Sequence, residues 1–165
     1  MARATPSSAR AGRGGRQGPR NRVGTTIDAR SGGNAPLFLA SGWAEPQDAG
    51  TWSLGARARL RLPLHGLAPG AGLHLRARLR PMVGPGQAQQ RLCLLAGAHM
   101  LGRWTLDQPR VTLIECTIAA EVLAATVPLQ LDLEVDSPRA PLSLGLSPDT
   151  RQLGVLLVSL QLDPS

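Results

Sequence analysis

"RARLRLPLHGLAPGAGLHLRARLR", residues 57–80, decides the fold. In its first part Ala58, Leu60, Leu62 and Leu64 alternate with Arg57, Arg59, Arg61 and Pro63. In its last part Leu73, Leu75, Ala77 and Leu79 alternate with His74, Arg76, Arg78 and Arg80. A period of two puts one set on a buried face and the other in water, the pattern of a half-buried strand and not of a helix. The intervening "HGLAPGAG" carries turn residues, so the two strands form a hairpin or a corner between two sheets. Working outward, "QRLCLLAGAHMLGRWTL" (90–106) reads as strand, tight turn at Gly97, strand. "RVTLIECTI" (110–118) reads as a buried strand, and "PLQLDLEVD" (128–136) and "RQLGVLLVSLQLD" (151–163) as two more. With "LFLASGW" (37–43) the count is about eight strands, and only "AAEVLAA" (119–125) offers a helical turn. The expectation is an all-β fold, an antiparallel β-sandwich or barrel with one face of most strands wet.

If the strands at 57–64 and 73–80 are paired, Arg57, Arg59, Arg61, Arg76, Arg78, Arg80 and His74 share one exposed face. Like charges directly opposite one another are destabilising by roughly a few tenths of a kcal/mol per pair. An offset is available in "LDLEVD", where Asp132, Glu134 and Asp136 recur at period two on one face. This acidic ribbon is expected to lie in the same sheet and interleave with the arginines. Were it elsewhere, the Arg face would be free to take a phosphate or an acidic polysaccharide.

Of the net charge of +7, all but one unit belongs to the N-terminus. Residues 1–33 hold seven Arg against the single Asp28, whereas the rest of the chain holds eleven Arg against ten acids. Residues 1–35 are rich in Gly, Arg, Ser and Pro without apolar periodicity, and are expected to be a disordered basic tail, with the sandwich occupying 36–165. The tail contains Arg13-Gly14-Gly15 but no aromatic residue to stack on a base, so a solvated leader is the expectation, and any nucleic-acid contact would run through this tail alone. All basic residues are Arg, inside and outside the tail, which reads as composition bias. Cys93 and Cys116 form no paired motif and are expected to be reduced thiols, with no metal and no cofactor. The longest apolar run, "LGVLLVSL" at 153–160, is far short of the ~20 residues of a membrane span, and the N-terminus lacks the apolar region of a secretory signal. A cytoplasmic location is the default that follows.

No catalytic signature is present: no nucleophile elbow, no phosphate-binding glycine loop, no zinc-protease helix motif. His65 and His99 fall in turns and His74 on a strand face, so none is paired at ligand spacing. The chain is therefore read as a non-enzyme. The scarcest residues point elsewhere. With no Tyr and one Phe, Trp43 and Trp52 flank a Pro/Gly segment, "SGWAEPQDAGTWSLG" (41–55), that also holds Glu45, Gln47 and Asp48. Aromatic faces beside carboxylate and amide groups suit a sugar, the ring stacking on C–H groups while the polar groups take the hydroxyls. The alternative is that Trp43 and Trp52 are core or sheet-edge residues and that Trp104 packs beneath its hairpin.

The order of short motifs carries a resemblance over nearly all of residues 37–163. Gly42-Trp43, Glu45-Pro46 and Gly50, Trp52, Ser53, Gly55 form a first block. A turn at Gly97 leads to Leu101, Gly102 and Trp104. Ser137-Pro138, Leu144-Gly145 and Asp149, Arg151, Leu153, Gly154 follow. In this order they resemble a β-sandwich domain found at the C-terminal end of bacterial membrane-linked glycosyltransferases and surface-polysaccharide synthesis proteins. Ala49 and the "AGAH" turn depart from that pattern. The resemblance implies a jelly-roll-like fold and an association with polysaccharide synthesis, with a glycan or a glycosyltransferase as partner; the loop reading supplies the ligand-binding set of Trp43, Glu45, Gln47, Asp48 and Trp52, to which Arg151 of the last motif is joined. Two further readings compete: a capsid-like jelly roll whose basic arm neutralises RNA, and a purely structural domain without ligand.

Overall fold

The computed structural model describes residues 21–22, 24 and 26–165. Over them the chain forms β1 (Asn21–Arg22), β2 (Thr26–Asp28), β3 (Leu39–Ser41), β4 (Thr51–Leu54), β5 (Arg57–Leu62), β6 (Leu64–His65) and β7 (Leu73–Pro81). There follow β8 (Gln90–Ala96), β9 (His99–Leu106), β10 (Thr112–Ile118), the short helix α1 (Ala120–Ala125), β11 (Leu129–Val135) and β12 (Leu153–Pro164). Two five-stranded antiparallel sheets face each other. The first runs β10-β7-β12-β2, with β4 also paired to β12, and the second runs β3-β5-β11-β8-β9. A parallel bridge joins β1 to β6. The fold is an all-β sandwich of the jelly-roll-like kind, with the chain passing repeatedly from one sheet to the other.

The alternation of apolar residues builds the core. Ala58, Leu60 and Leu62 of β5 and Leu129, Leu131, Leu133 and Val135 of β11 meet Leu73, Leu75, Ala77 and Leu79 of β7 across the interior. Each buried Leu contributes about 1.5–3 kcal/mol relative to exposure. On β12 strict alternation would fail at "LLVSL", because Val155 and Leu157 are internal and so are Leu160 and Leu162. A bulge between Leu157 and Ser159 resets the register and keeps both pairs inside. Leu156, pointing the other way, joins a second apolar cluster with Trp52, Met82, Leu144 and Leu153.

The strands at 57–62 and 73–81 are not partners. They lie in different sheets, and residues 64–72 are the corner between them. The seven-residue basic face is therefore split in two, each half with its own acids. In the second sheet Asp132 stands opposite Arg59 and Glu134 opposite Arg57. Arg59 donates to Asp132 Oδ1 from Nε at 2.8 Å and to Oδ2 from Nη2 at 3.2 Å, while Arg57 donates to Glu134. The acidic ribbon interleaves as expected, with β5 alone. In the first sheet Arg76 reaches Asp163 at 2.9 Å and His74 lies 3.0 Å from Glu115. Exposed pairs of this kind contribute about 0.2–1 kcal/mol each.

The expected domain start at residue 36 moves N-terminally. β2 pairs with Ser159–Gln161, and Ile27 and Ala29 are fully buried in the main core. Three residues, Thr26, Ile27 and Asp28, are too few to show a period, which is why this strand is silent in the sequence. The disorder expected of the tail falls, over residues 1–20, outside the described residues.

Three carboxyls sit below their ordinary value of 3.8. Asp28 is lowered by hydrogen bonds from Arg30, Asp163 by its bond from Arg76, and Asp149 is brought to about 2 by Arg151. Because the folded values are depressed, the stability they supply is present above the unfolded value and is lost as pH falls through the folded ones. Thermal melts followed by circular dichroism should therefore lose midpoint steadily between about pH 4 and about pH 2. A midpoint that is flat across that window would mean these pairs do not persist in solution.

Candidate functional site

The segment 41–55 is a hairpin closing on β12. The Ala44 N–H donates to the Trp52 carbonyl at 2.9 Å, the Leu54 N–H to Gly42 at 2.7 Å, and the Gln47 N–H to Gly50 at 2.8 Å. Trp43 is opposite Ser53, so Trp43 and Trp52 belong to successive cross-strand positions and project to opposite faces. The half-buried Trp43 packs on the main core and its Nε1–H donates to the Arg59 carbonyl at 2.8 Å. Trp52 is only 6% exposed, sits in the second cluster, and has the Arg80 guanidinium carbon 5.5 Å from its ring centroid. The two rings do not flank a common space. The expectation of a paired-ring sugar site is corrected by the hairpin itself, which at an odd offset must send them apart.

Of the other candidates, Glu45, Gln47 and Asp48 are exposed along the hairpin's outer end, where the Gln47 carbonyl accepts the Ser31 N–H at 2.8 Å. Arg151 is not with them. Leu153 pairs with Leu54 and Leu157 with Thr51, so Arg151 adjoins the Gly55 end, some six strand positions or ~20 Å from the tip. Its guanidinium is held by Asp149, from Nη2 at 2.6 Å and from Nε at 3.0 Å.

A concavity lies on the outer face of the second sheet, where a groove of about 680 Å³ crosses β5, β11, β8 and β9. Register explains its lining. Glu134 stands between Arg57 of β5 and Cys93 of β8, and Cys93 in turn is opposite Arg103 of β9. One pleat along, Arg91 is opposite Thr105, and the Asp136 N–H donates to the Arg91 carbonyl at 3.0 Å, which places Asp136 beside Arg91. Leu95 and Met100 supply apolar surface, while Trp104, opposite the buried Leu92, packs on the main core and only edges the groove. The ring of Trp104 lies over Gly102, where an added Cβ would come within 2.6 Å of it.

The end of the groove is pinned by a buried amide. Gln90, 1% exposed, donates from Nε2 to the Ser137 carbonyl at 2.7 Å and accepts the Ser137 N–H at 3.1 Å. This holds the chain just beyond Asp136 against β8. Arg57 is paired with Glu134, while Arg91 and Arg103 have no carboxylate within ion-pair distance among the described residues. Of these groove residues the sequence singles out Arg57, Glu134 and Asp136, as members of the arginine ladder and its acidic ribbon, but not Arg91, Arg103 or Thr105. Their outward direction follows from alternation, but their adjacency depends on β11 lying between β5 and β8.

Both cysteines are free thiols, and burial pushes that of Cys116 up to about 11, so it stays protonated at neutral pH. Among the described residues no group of three or more His, Cys, Asp and Glu gathers as a metal site, and no helix is long and apolar enough to cross a membrane. A second hollow of about 470 Å³ lies between the corner at Leu67–Ala71 and α1, lined almost wholly by apolar groups.

No protein family and no curated protein matches the chain. Solved structures of similar shape are known. A CBM36 domain of a multidomain xylanase from the hindgut metagenome of Trinervitermes trinervoides shares 13% identity at a TM-score of 0.48, covering 86% of this chain and 97% of that one. The C-terminal CBM6 of a marine laminarinase from Zobellia galactanivorans shares 14% identity at 0.47, covering 84% and 98%. The mosquito-larvicidal Cry4Aa toxin from Bacillus thuringiensis shares 11% at 0.48, covering 90% of this chain and 25% of the toxin. At that similarity they assign neither a family nor a ligand to this chain.

Proposed function

We propose that the protein is a non-catalytic carbohydrate-binding β-sandwich and that its glycan lies across the outer face of the second sheet. One observation carries this reading: an open groove of about 680 Å³ in which guanidinium, carboxylate and hydroxyl groups stand beside the apolar Leu95 and Met100. Binding sites of this volume class hold a ligand on apolar surface and orient it with a few polar groups. Carboxylates accept from sugar hydroxyls and guanidiniums donate to ring and hydroxyl oxygens, so a mixed row suits a polyhydroxylated chain better than an apolar ligand. The residues stand on strands, not loops, and are held by ladder hydrogen bonds, which keeps the ordering cost of binding small. Glu134 is engaged by Arg57, which favours holding over acid–base work. The resemblance noted above would attach such a module to surface-polysaccharide synthesis, beside a glycosyltransferase.

The test is chemical-shift mapping of the 15N-labelled protein with a panel of neutral and acidic oligosaccharides. Saturable shifts are expected at residues 91–95, 103–105 and 134–136. Shifts confined to residues 45–48 would move the site to the hairpin, and silence with every glycan would leave the protein without this function.

A further inference from the structure

We infer that the groove is built for a uronic-acid-containing polysaccharide, with Arg103 and Arg91 receiving the sugar carboxylate. The inference rests on the carbohydrate-binding reading and names its ligand class. Three arginines line the groove, Arg57, Arg91 and Arg103, against two acids, Glu134 and Asp136. Arg57 is neutralised by Glu134, and Arg91 has Asp136 as its cross-strand neighbour without an ion pair forming. Arg103 faces only the uncharged Cys93 across the ladder and stands on β9, the last strand of its sheet. Two guanidiniums on neighbouring strands are thus left with donors unspent, and a planar carboxylate is the group their fork geometry fits.

The acids decide between anions. Glu134 and Asp136 lie among the arginines, so the lining carries a net charge of only +1. A dense polyanion such as RNA or a heavily sulfated chain would bring phosphate or sulfate groups against those carboxylates. A polyuronic acid carries one charge per sugar and leaves the hydroxyls between for the carboxylates to accept. The groove runs about three strand spacings, ~14 Å, from Arg57 to Arg103, which is longer than one sugar ring and favours a chain over a free monosaccharide.

Calorimetric titration of the full chain with an oligogalacturonate and with its methyl ester tests this. The acid should bind at least tenfold more tightly than the ester, a difference of about 1.4 kcal/mol. Arg103→Gln and Arg91→Gln should each remove most of that preference, lowering affinity for the acid far more than for the ester, with thermal stability unchanged. Equal affinity for acid and ester, unchanged in both variants, would overturn the carboxylate assignment and leave a neutral-glycan module standing. Acid binding that persists in Arg103→Gln and falls steeply with salt would assign it to the Arg-rich residues 1–22 and equally overturn the inference. Binding of neither form would remove the carbohydrate reading itself.

Discussion

Trp52→Ala should destabilise the fold by about 3–5 kcal/mol, the range for removing a large aromatic from a packed interior. The ring fills the space between Met82, Leu144, Leu153 and Leu156 and carries the Arg80 guanidinium on its face. Its loss opens a cavity in a cluster that has no second aromatic to collapse into it. Against a typical total of about 5–15 kcal/mol this is a large share of the stability. The midpoint of thermal unfolding should drop by roughly 10–15 °C. Trp52→Phe, which keeps a ring in place, should recover much of the loss. Glycan affinity of the folded fraction is expected to be unchanged, because the ring is closed off from solvent. A folded Trp52→Ala protein that had lost only its ligand would instead restore the hairpin as the binding site.

Gly50→Ala is the second substitution with a large cost, about 4 kcal/mol, from backbone strain of about 1–3 and overpacking of about 1–3. Gly50 has φ +148, and a Cβ there would stand 2.3 Å from the Leu157 carbonyl oxygen and 3.1 Å from Leu156 Cγ. The obstacle is the backbone of a central strand, which cannot swing aside as a flexible side chain would. Gly55 is the control, since it has φ +68 but nothing within 4 Å of an added Cβ. Gly55→Ala should cost only the left-handed backbone penalty, about 1–2 kcal/mol. Urea denaturation of the two variants measures the difference. If they proved equally stable, the close seating of the hairpin on β12 would be the point in error.

The alternation of leucine with arginine in residues 57–80 was enough to read strands, antiparallel pairing and an all-β sandwich, because side-chain direction in a strand has a period of two whatever lies next to it. The acidic ribbon of Asp132 and Glu134 was legible for the same reason, since charges at period two must share a face and find partners there. Strand β2 was not legible, because its Thr26–Asp28 span is too short to show a period, and it belongs to the core only through Ser159–Gln161.

The tryptophans show the same limit at the site. A spacing of nine positions from Trp43 to Trp52 says that a hairpin can bring them near, but the cross-strand pairing of Trp43 with Ser53 sends one ring to each face. That choice belongs to register, which the core and β12 impose. The groove is a tertiary object throughout, because Arg57, Glu134, Cys93 and Arg103 come from four strands scattered over half the chain. By itself the sequence determined which residues point outward, a local property of the backbone. Only the tertiary structure decided which outward residues became neighbours, because strand order is settled by how two whole sheets bury their leucines against each other.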